Sequence, residues 1–356
     1  MKWSVDPWLT VCYLFASSLS LLILTSISPD RVGQQAFMFI LGFILYLYIS
    51  SQDGEVYKTF APIGYVMALI LLLSTLIFGE TIRGSTRWIL LGGFQFQAGE
   101  LSKPLLVLSL AYSLYHFPLN SLKNFGINLL LFLLPAFLIF RQPDLGTALV
   151  ISSIFAVQLF VAGLPWWFFG LVGSITAVFW RYLPRLLHSY QLERLTTFID
   201  PYRDPLGSGY NVIQSVIAVG SGGLLGKGLG HGTQSHLRFL PERHTDFIFA
   251  SLAEELGLIG SLLVIFCLGA LLYRLLYLAT HAQSRFSRFV YLGSFGYLAF
   301  QTFVNIGMNI GVAPVTGVTL PLISYGGSSI LATAITLGIV SSLARTKPEA
   351  SLLQIR

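Results

Sequence analysis

Apolar residues run along this chain in long blocks, each wide enough to cross the roughly 30 Å hydrocarbon core of a bilayer as a helix. The blocks lie near residues 8–28, 35–51, 61–79, 100–117, 124–140, 145–163, 165–183, 247–273, 288–311 and 327–344. The pattern predicts an all-α polytopic membrane protein of about ten transmembrane helices. The break at Gly163-Leu164-Pro165 either separates two spans or marks one broken or re-entrant element. The polar interval of about 184–245 reads as one large loop between the seventh and eighth spans. No repeat, low-complexity tail or separate soluble domain interrupts the pattern, so residues 1–356 read as a single membrane domain. The first block lacks a small-residue cleavage site and reads as a retained span.

Composition agrees, with 54% hydrophobic and 10% charged residues against roughly 25% charged in a soluble domain. Lys2, Lys58, Lys123, Arg274, Arg285, Arg288, Arg345, Lys347 and Arg356 gather on one side of the predicted spans. Only Arg31, Arg83, Arg87 and Arg141 occupy the short loops opposite. The positive-inside rule therefore expects both termini in the cytoplasm and the large loop outside. The net charge of +6 belongs to this topology and to anionic lipid. It is no sign of nucleic-acid binding, because no basic cluster is interleaved with aromatic residues. Cys12 and Cys267 both fall within spans, which excludes a disulfide framework and a cysteine metal site.

Chemistry concentrates where charge meets the outer ends of spans. In Leu240-Pro241-Glu242-Arg243-His244-Thr245-Asp246-Phe247 a charged loop runs into an apolar helix. Thr245 and Asp246 read as helix-start residues, and the helix dipole keeps a first-turn acid ionised, able to accept a proton or hold a cation. Glu100 and Lys103 stand three apart at the head of another apolar helix, share a face, and pair either structurally or along a wet cavity. In Arg141-Gln142-Pro143-Asp144-Leu145-Gly146-Thr147, Asp144 caps a helix or serves as a second outer carboxylate. Asp144 and Asp246 together are a possible oxygen-ligand site for a divalent cation, Mg or Mn.

Glu254 and Glu255 lie eight and nine residues beyond Asp246, about 12 to 14 Å deeper at 1.5 Å per residue, where Lys103 is the expected counter-ion. The glycine-dense run Gly220 to Gly232 fails as a phosphate-binding P-loop, since Ser221 stands where glycine is needed and Gly228 follows Lys227. Such glycine density instead suits a closely packed or mobile segment. The six histidines show no metal-ligand spacing. Pro314 to Ser329 is too rich in proline and glycine for a continuous helix and is expected to wall the site.

Read together, these segments resemble the SEDS family of bacterial membrane proteins. The match runs from about Gly84 to Ser329, through Arg87-Trp88, Glu100 with Lys103, Gln142 to Thr147, Asp200-Pro201, Asp204 to Gly207, Gly220 to Gly223, Pro241 to Phe249 and Pro314 to Ser329. His231-Gly232-Thr233-Gln234-Ser235 and the Leu240 to Asp246 run are most similar to the elongation branch of that family. One departure is Ala98-Gly99 where the family usually has Pro-Ser. The resemblance implies a multi-pass protein of the bacterial cytoplasmic membrane, whose outward-facing site polymerises lipid II into glycan strands with release of undecaprenyl diphosphate. It implies Asp246 as the catalytic acid, and as partners a class B penicillin-binding protein transpeptidase and the elongation machinery. The candidate substrate-binding or cavity residues are Arg87, Glu100, Lys103, Gln142, Asp144, Arg243, His244, Glu255 and Ser324. A lipid II flippase is the alternative, and a non-catalytic scaffold a third reading; inverted repeats, which a transporter would favour, are not evident.

Overall fold

The computed structural model describes residues 5–82, 85–91, 94–179 and 189–345. Lys2, Arg83, Gly84, Lys347, Arg356 and the far end of the seventh predicted span lie outside the described residues.

Each of the ten predicted spans corresponds to a helix. Seven are long and apolar enough by themselves to cross a membrane: α1 (Pro7–Ile27), α2 (Pro29–Ser51), α3 (Gly54–Phe78), α5 (Leu122–Arg141), α11 (Ile248–Thr280), α12 (Arg285–Asn309) and α13 (Gly327–Arg345). The others are α4 (Ala98–His116), which carries Glu100 and Lys103, and the shorter α6 (Leu145–Val161) and α7 (Trp166–Phe179), joined by the Gly163-Leu164-Pro165 turn. Helix starts follow capping chemistry: Asp6, Asp53, Ser121, Asp144 and Ser284 each accept a hydrogen bond from a backbone N–H of the first turn.

α13 lies at the centre, with 78% of its apolar window buried, whereas α2 and α5 bury only 22% and face outward. α13 packs along α2, α3 along α4, and α12 along both α6 and α11. One large apolar cluster joins α1, α4, α6 and α11 to α13.

Three features depart from the sequence reading. Between α3 and α4 the chain forms a small antiparallel sheet, β1 (Glu80–Ile82), β2 (Ser85–Leu91) and β3 (Phe94–Phe96), in that order. Its register pairs Glu80 with Trp88 and Ile89 with Phe96, and Arg87 lies at the same end of the bundle as Asp246. The large loop is also partly helical, with α8 (Ser189–Ile199), α9 (Tyr210–Ser221) and the single turn α10 (Thr233–His236).

The third departure is in α11, which is broken at Gly257 (φ 67°, ψ −161°), a conformation that only glycine adopts at low cost. The break frees backbone groups that a bilayer cannot satisfy. The glycine-dense run satisfies them: Lys227 and Gly228 donate their N–H groups to the carbonyls of Glu254 and Glu255, each at 3.0 Å. In return Leu258 and Ile259 donate to the carbonyls of Gly223 and Leu224, at 2.9 and 3.3 Å. A Cβ on Gly222 or Gly226 would collide with the Ala253 or Glu255 backbone, so the glycines permit a backbone splint across the broken helix.

Candidate active site

Asp246 sits in a turn two residues before α11, whose N-cap is Phe247, and so does not itself begin the helix as the sequence suggested. The turn is held from two sides. From α12, the Asn305 and Asn309 side-chain amides both donate to the backbone carbonyl of Asp246, at 3.2 and 3.0 Å, and Asn309 Oδ1 accepts from Ala250 N at 3.0 Å. From the loop before α13, Ser324 Oγ donates to the Thr245 carbonyl at 2.7 Å and Tyr325 N to the His244 carbonyl at 2.9 Å. Ser324 also accepts from Leu320 N at 2.9 Å, so this candidate cavity residue ties the loop before α13 to the Asp246 turn.

That loop carries Gly317 (φ 74°), and the missing side chain matters. A Cβ there would lie 3.7 Å from both terminal nitrogens of Arg87 and 3.7 Å from Asp246 Oδ2. The guanidinium and the carboxylate thus flank one point, within twice that distance of each other. Arg87 is aimed by Asp144, whose Oδ1 stands 3.6 Å from its Nη1, and its guanidinium lies 5.9 Å from the Trp88 ring centroid.

Asp144 is buried and committed to protein donors. It accepts from Thr147 N at 3.1 Å, Thr147 Oγ1 at 2.9 Å and Gln97 Nε2 at 3.1 Å, besides the Arg87 contact. Burial alone would raise its carboxyl, but Arg87, Thr147 and the more distant Lys103 outweigh burial and hold it below the ordinary carboxylate value. A carboxylate offers about four lone-pair sites, and Thr147 and Gln97 occupy three of them. Among the described residues no three His, Cys, Asp or Glu side chains converge as metal ligands.

One helical turn into α4, Lys103 Nζ donates to Glu100 Oε1 at 2.5 Å, with side-chain exposures of 1% and 6%. Burial this complete separates the pair from solvent-exposed i,i+3 pairs. Lys103 Nζ also lies 5.3 Å from the Tyr297 ring centroid, and Glu100 Oε2 is buried with no hydrogen-bond donor.

The remaining predicted residues divide differently. Gln142 donates to the Leu72 carbonyl at 2.8 Å and braces α3 instead of facing the site. Arg243 donates to the Ile27 carbonyl at 3.0 Å, and His244 accepts from Arg31, which also lies 5.2 Å from the Tyr325 ring centroid. Both thus tie the Asp246 turn to the corner between α1 and α2. Lys103 is not the counter-ion of Glu254 or Glu255. Glu254 binds Lys227 at 2.8 Å together with Thr233, Gln234 and Ser235, and Glu255 binds Ser26 and His236, each at 2.8 Å. The break at Gly257 lets the large loop fold back to reach them.

Burial first, and then Arg31, push the His244 imidazole down from 6.5 to about 4. Between those values the unfolded chain binds a proton that the folded chain refuses, so stability falls as pH drops from about 6.5 to about 4. Apparent Tm of detergent-solubilised protein should decline across that window. His244→Gln, which keeps an acceptor but cannot titrate, should flatten the decline; an unchanged slope would mean that His244 does not drive it.

Sequence reasoning missed Asn305, Asn309, Gln97 and Arg31. Asn305 and Asn309 did carry a signal, being two amides four residues apart in an apolar span, where polar side chains are expensive unless they have a task.

A family model described as cell cycle protein, covering FtsW, RodA and SpoVE, matches residues 8–349. The chain is 41% identical over 352 residues to the peptidoglycan glycosyltransferase MrdB of Escherichia coli K12, covering 96% of this chain and 94% of the relative. It is 36% identical over 363 residues to the probable peptidoglycan glycosyltransferase FtsW of Coxiella burnetii, covering 97% of each. Among solved structures, a chain from a peptidoglycan synthase complex that coordinates polymerization and crosslinking superposes with a TM-score of 0.81 at 37% identity, covering 96% of this chain and 98% of that one. The rod shape determining protein RodA of Thermus thermophilus superposes with a TM-score of 0.74 at 32% identity, covering 97% and 98%. The family model and the relatives span nearly the whole chain, including every element around Asp246, and the chain belongs to the FtsW, RodA and SpoVE family of cell cycle proteins.

Proposed function

We propose that this protein is a peptidoglycan glycosyltransferase that polymerises lipid II and serves cell elongation. The observation that carries this reading is the placement of the Asp246 carboxylate and the Arg87 guanidinium around one point beside Gly317 at one end of a membrane bundle. Glycan extension needs these two groups. An acceptor sugar hydroxyl attacks the anomeric carbon of the donor; the new C–O bond forms as the bond to the diphosphate oxygen breaks. Asp246 takes the hydroxyl proton as general base. Arg87, positioned by Asp144, stabilises the charge that grows on the departing undecaprenyl diphosphate. Diphosphate leaves readily, so the scheme needs no general acid. It also routes no step through a metal ion.

The arginine-rich end of the bundle, with Arg274, Arg285 and Arg288, is assigned to the cytoplasm and the Asp246 end to the outer face. A class B penicillin-binding protein is the proposed partner, supported by the likeness to a chain from a synthase complex that joins polymerization to crosslinking.

The test is polymerisation by purified full-length protein, with and without the transpeptidase, from lipid II in detergent. Glycan ladders are expected. No product under either condition would favour the flippase alternative, because detergent leaves no leaflet to cross.

A further inference from the structure

The bundle carries a second built feature, distant from Asp246, at the end where Arg274, Arg285 and Arg288 lie. There α6, α7, α11 and α12 border a shallow, open groove of about 450 Å³ walled by apolar atoms, among them Val157, Phe160, Phe169, Leu276, Leu292 and Phe295. That volume lies within the range of about 300 to 1,000 Å³ typical of small-ligand sites. A transmembrane helix about 10 Å across would lie over such a groove, whereas a hydrocarbon chain fits inside it.

What stands above the groove selects the headgroup. On α12, Arg288, Leu292 and Phe295 follow i, i+4 and i+7 spacing, and Arg285 is a further turn back along the same stripe. Both arginines are exposed, and neither has an ion-pair partner among the described residues. Arg274, by contrast, is occupied by Asp6 at 2.6 Å. Helical side chains lean toward the N-terminus, here away from the groove and toward the membrane surface, which is how arginine places its charge at phosphate level. Trp166 and Trp167, 77% and 57% exposed at the start of α7, mark the same level in the manner of an interfacial aromatic belt.

We propose that this groove is a binding site for an anionic phospholipid of the adjacent leaflet, with an acyl chain between α6, α7, α11 and α12 and its phosphate against Arg285 and Arg288. The site is independent of the glycosyltransferase reading. Bound lipid braces α7, which is short and otherwise has an exposed outer face at Leu171, Val172 and Ile175.

The experiment is native mass spectrometry of the purified, delipidated full-length protein titrated with dipalmitoyl phosphatidylglycerol or, separately, dipalmitoyl phosphatidylcholine. The wild type should retain phosphatidylglycerol at least about tenfold better. Arg285→Gln/Arg288→Gln, changed only at exposed positions, should erase that preference while leaving phosphatidylcholine retention as it was. Leu292→Trp, which fills the groove, should lower retention of both. Equal retention of the two lipids by the wild type, or a preference that survives the double arginine substitution, would overturn the proposal. So would a cysteine at 292 that crosslinks to a partner's transmembrane helix while lipid retention is nil, since the groove would then be a protein interface.

Discussion

Asp246→Asn is expected to give a folded protein whose glycan polymerisation falls by about 10² to 10⁴, the usual contribution of a positioned general base. Four hydrogen bonds hold this turn through its backbone. Asn305 and Asn309 hold its backbone carbonyl, and Ser324 and Tyr325 hold the carbonyls of the two residues before it. None of these bonds uses the carboxylate, so the isosteric amide should keep the turn in place while losing basicity. The readout is the rate of glycan chain formation from lipid II, with apparent Tm as the control for folding. An Asn variant of normal stability and near-normal rate would remove Asp246 from the chemistry.

The second large effect is expected inside α4. Lys103→Met leaves the Glu100 carboxylate buried without its cation, and Glu100→Gln strands the Lys103 ammonium; each is expected to cost about 3 to 5 kcal/mol. The cost is high because Glu100 Oε2 has no other donor and the side chains are almost wholly enclosed. The double variant removes both charges and should recover much of the loss. A double-mutant cycle on unfolding in detergent measures this coupling. Additive losses would contradict the direct contact. Activity should fall in the single variants as well, since Lys103 helps to keep Asp144 ionised against burial, and Asp144 aims Arg87.

Much of this molecule was legible from local pattern. Blocks of apolar residues specify membrane helices because a bilayer leaves the backbone little choice but to pair within each segment. Glu100 and Lys103 could be paired from their spacing alone, since three residues along a helix put two side chains on one face. Asp246 stood out because it is a carboxylate where a charged loop runs into an apolar span. The start of α11 was placed two residues early because Thr245 and Asp246 are good capping residues. Here the capping propensity is overridden by α12 and the loop before α13, which hold the turn from two sides.

Contacts between distant parts of the chain were illegible for a different reason. Arg87, Asp144, Asp246 and Gly317 span most of the sequence, and no periodicity relates a strand in a short sheet to a glycine in the last loop. The same holds for Glu254 and Glu255. Both lie on α11 ahead of the break, and their partners come from Lys227, Ser26 and His236, because the glycine run folds back across Gly257. Sequence by itself determined the membrane class, the helices and the buried Glu100–Lys103 pair, all properties of neighbouring residues and their solvent. Only the tertiary structure decided that Arg87 lies near Asp246, which amides hold the Asp246 turn and where the glycine run is used, because each depends on backbone packing between segments far apart in the chain.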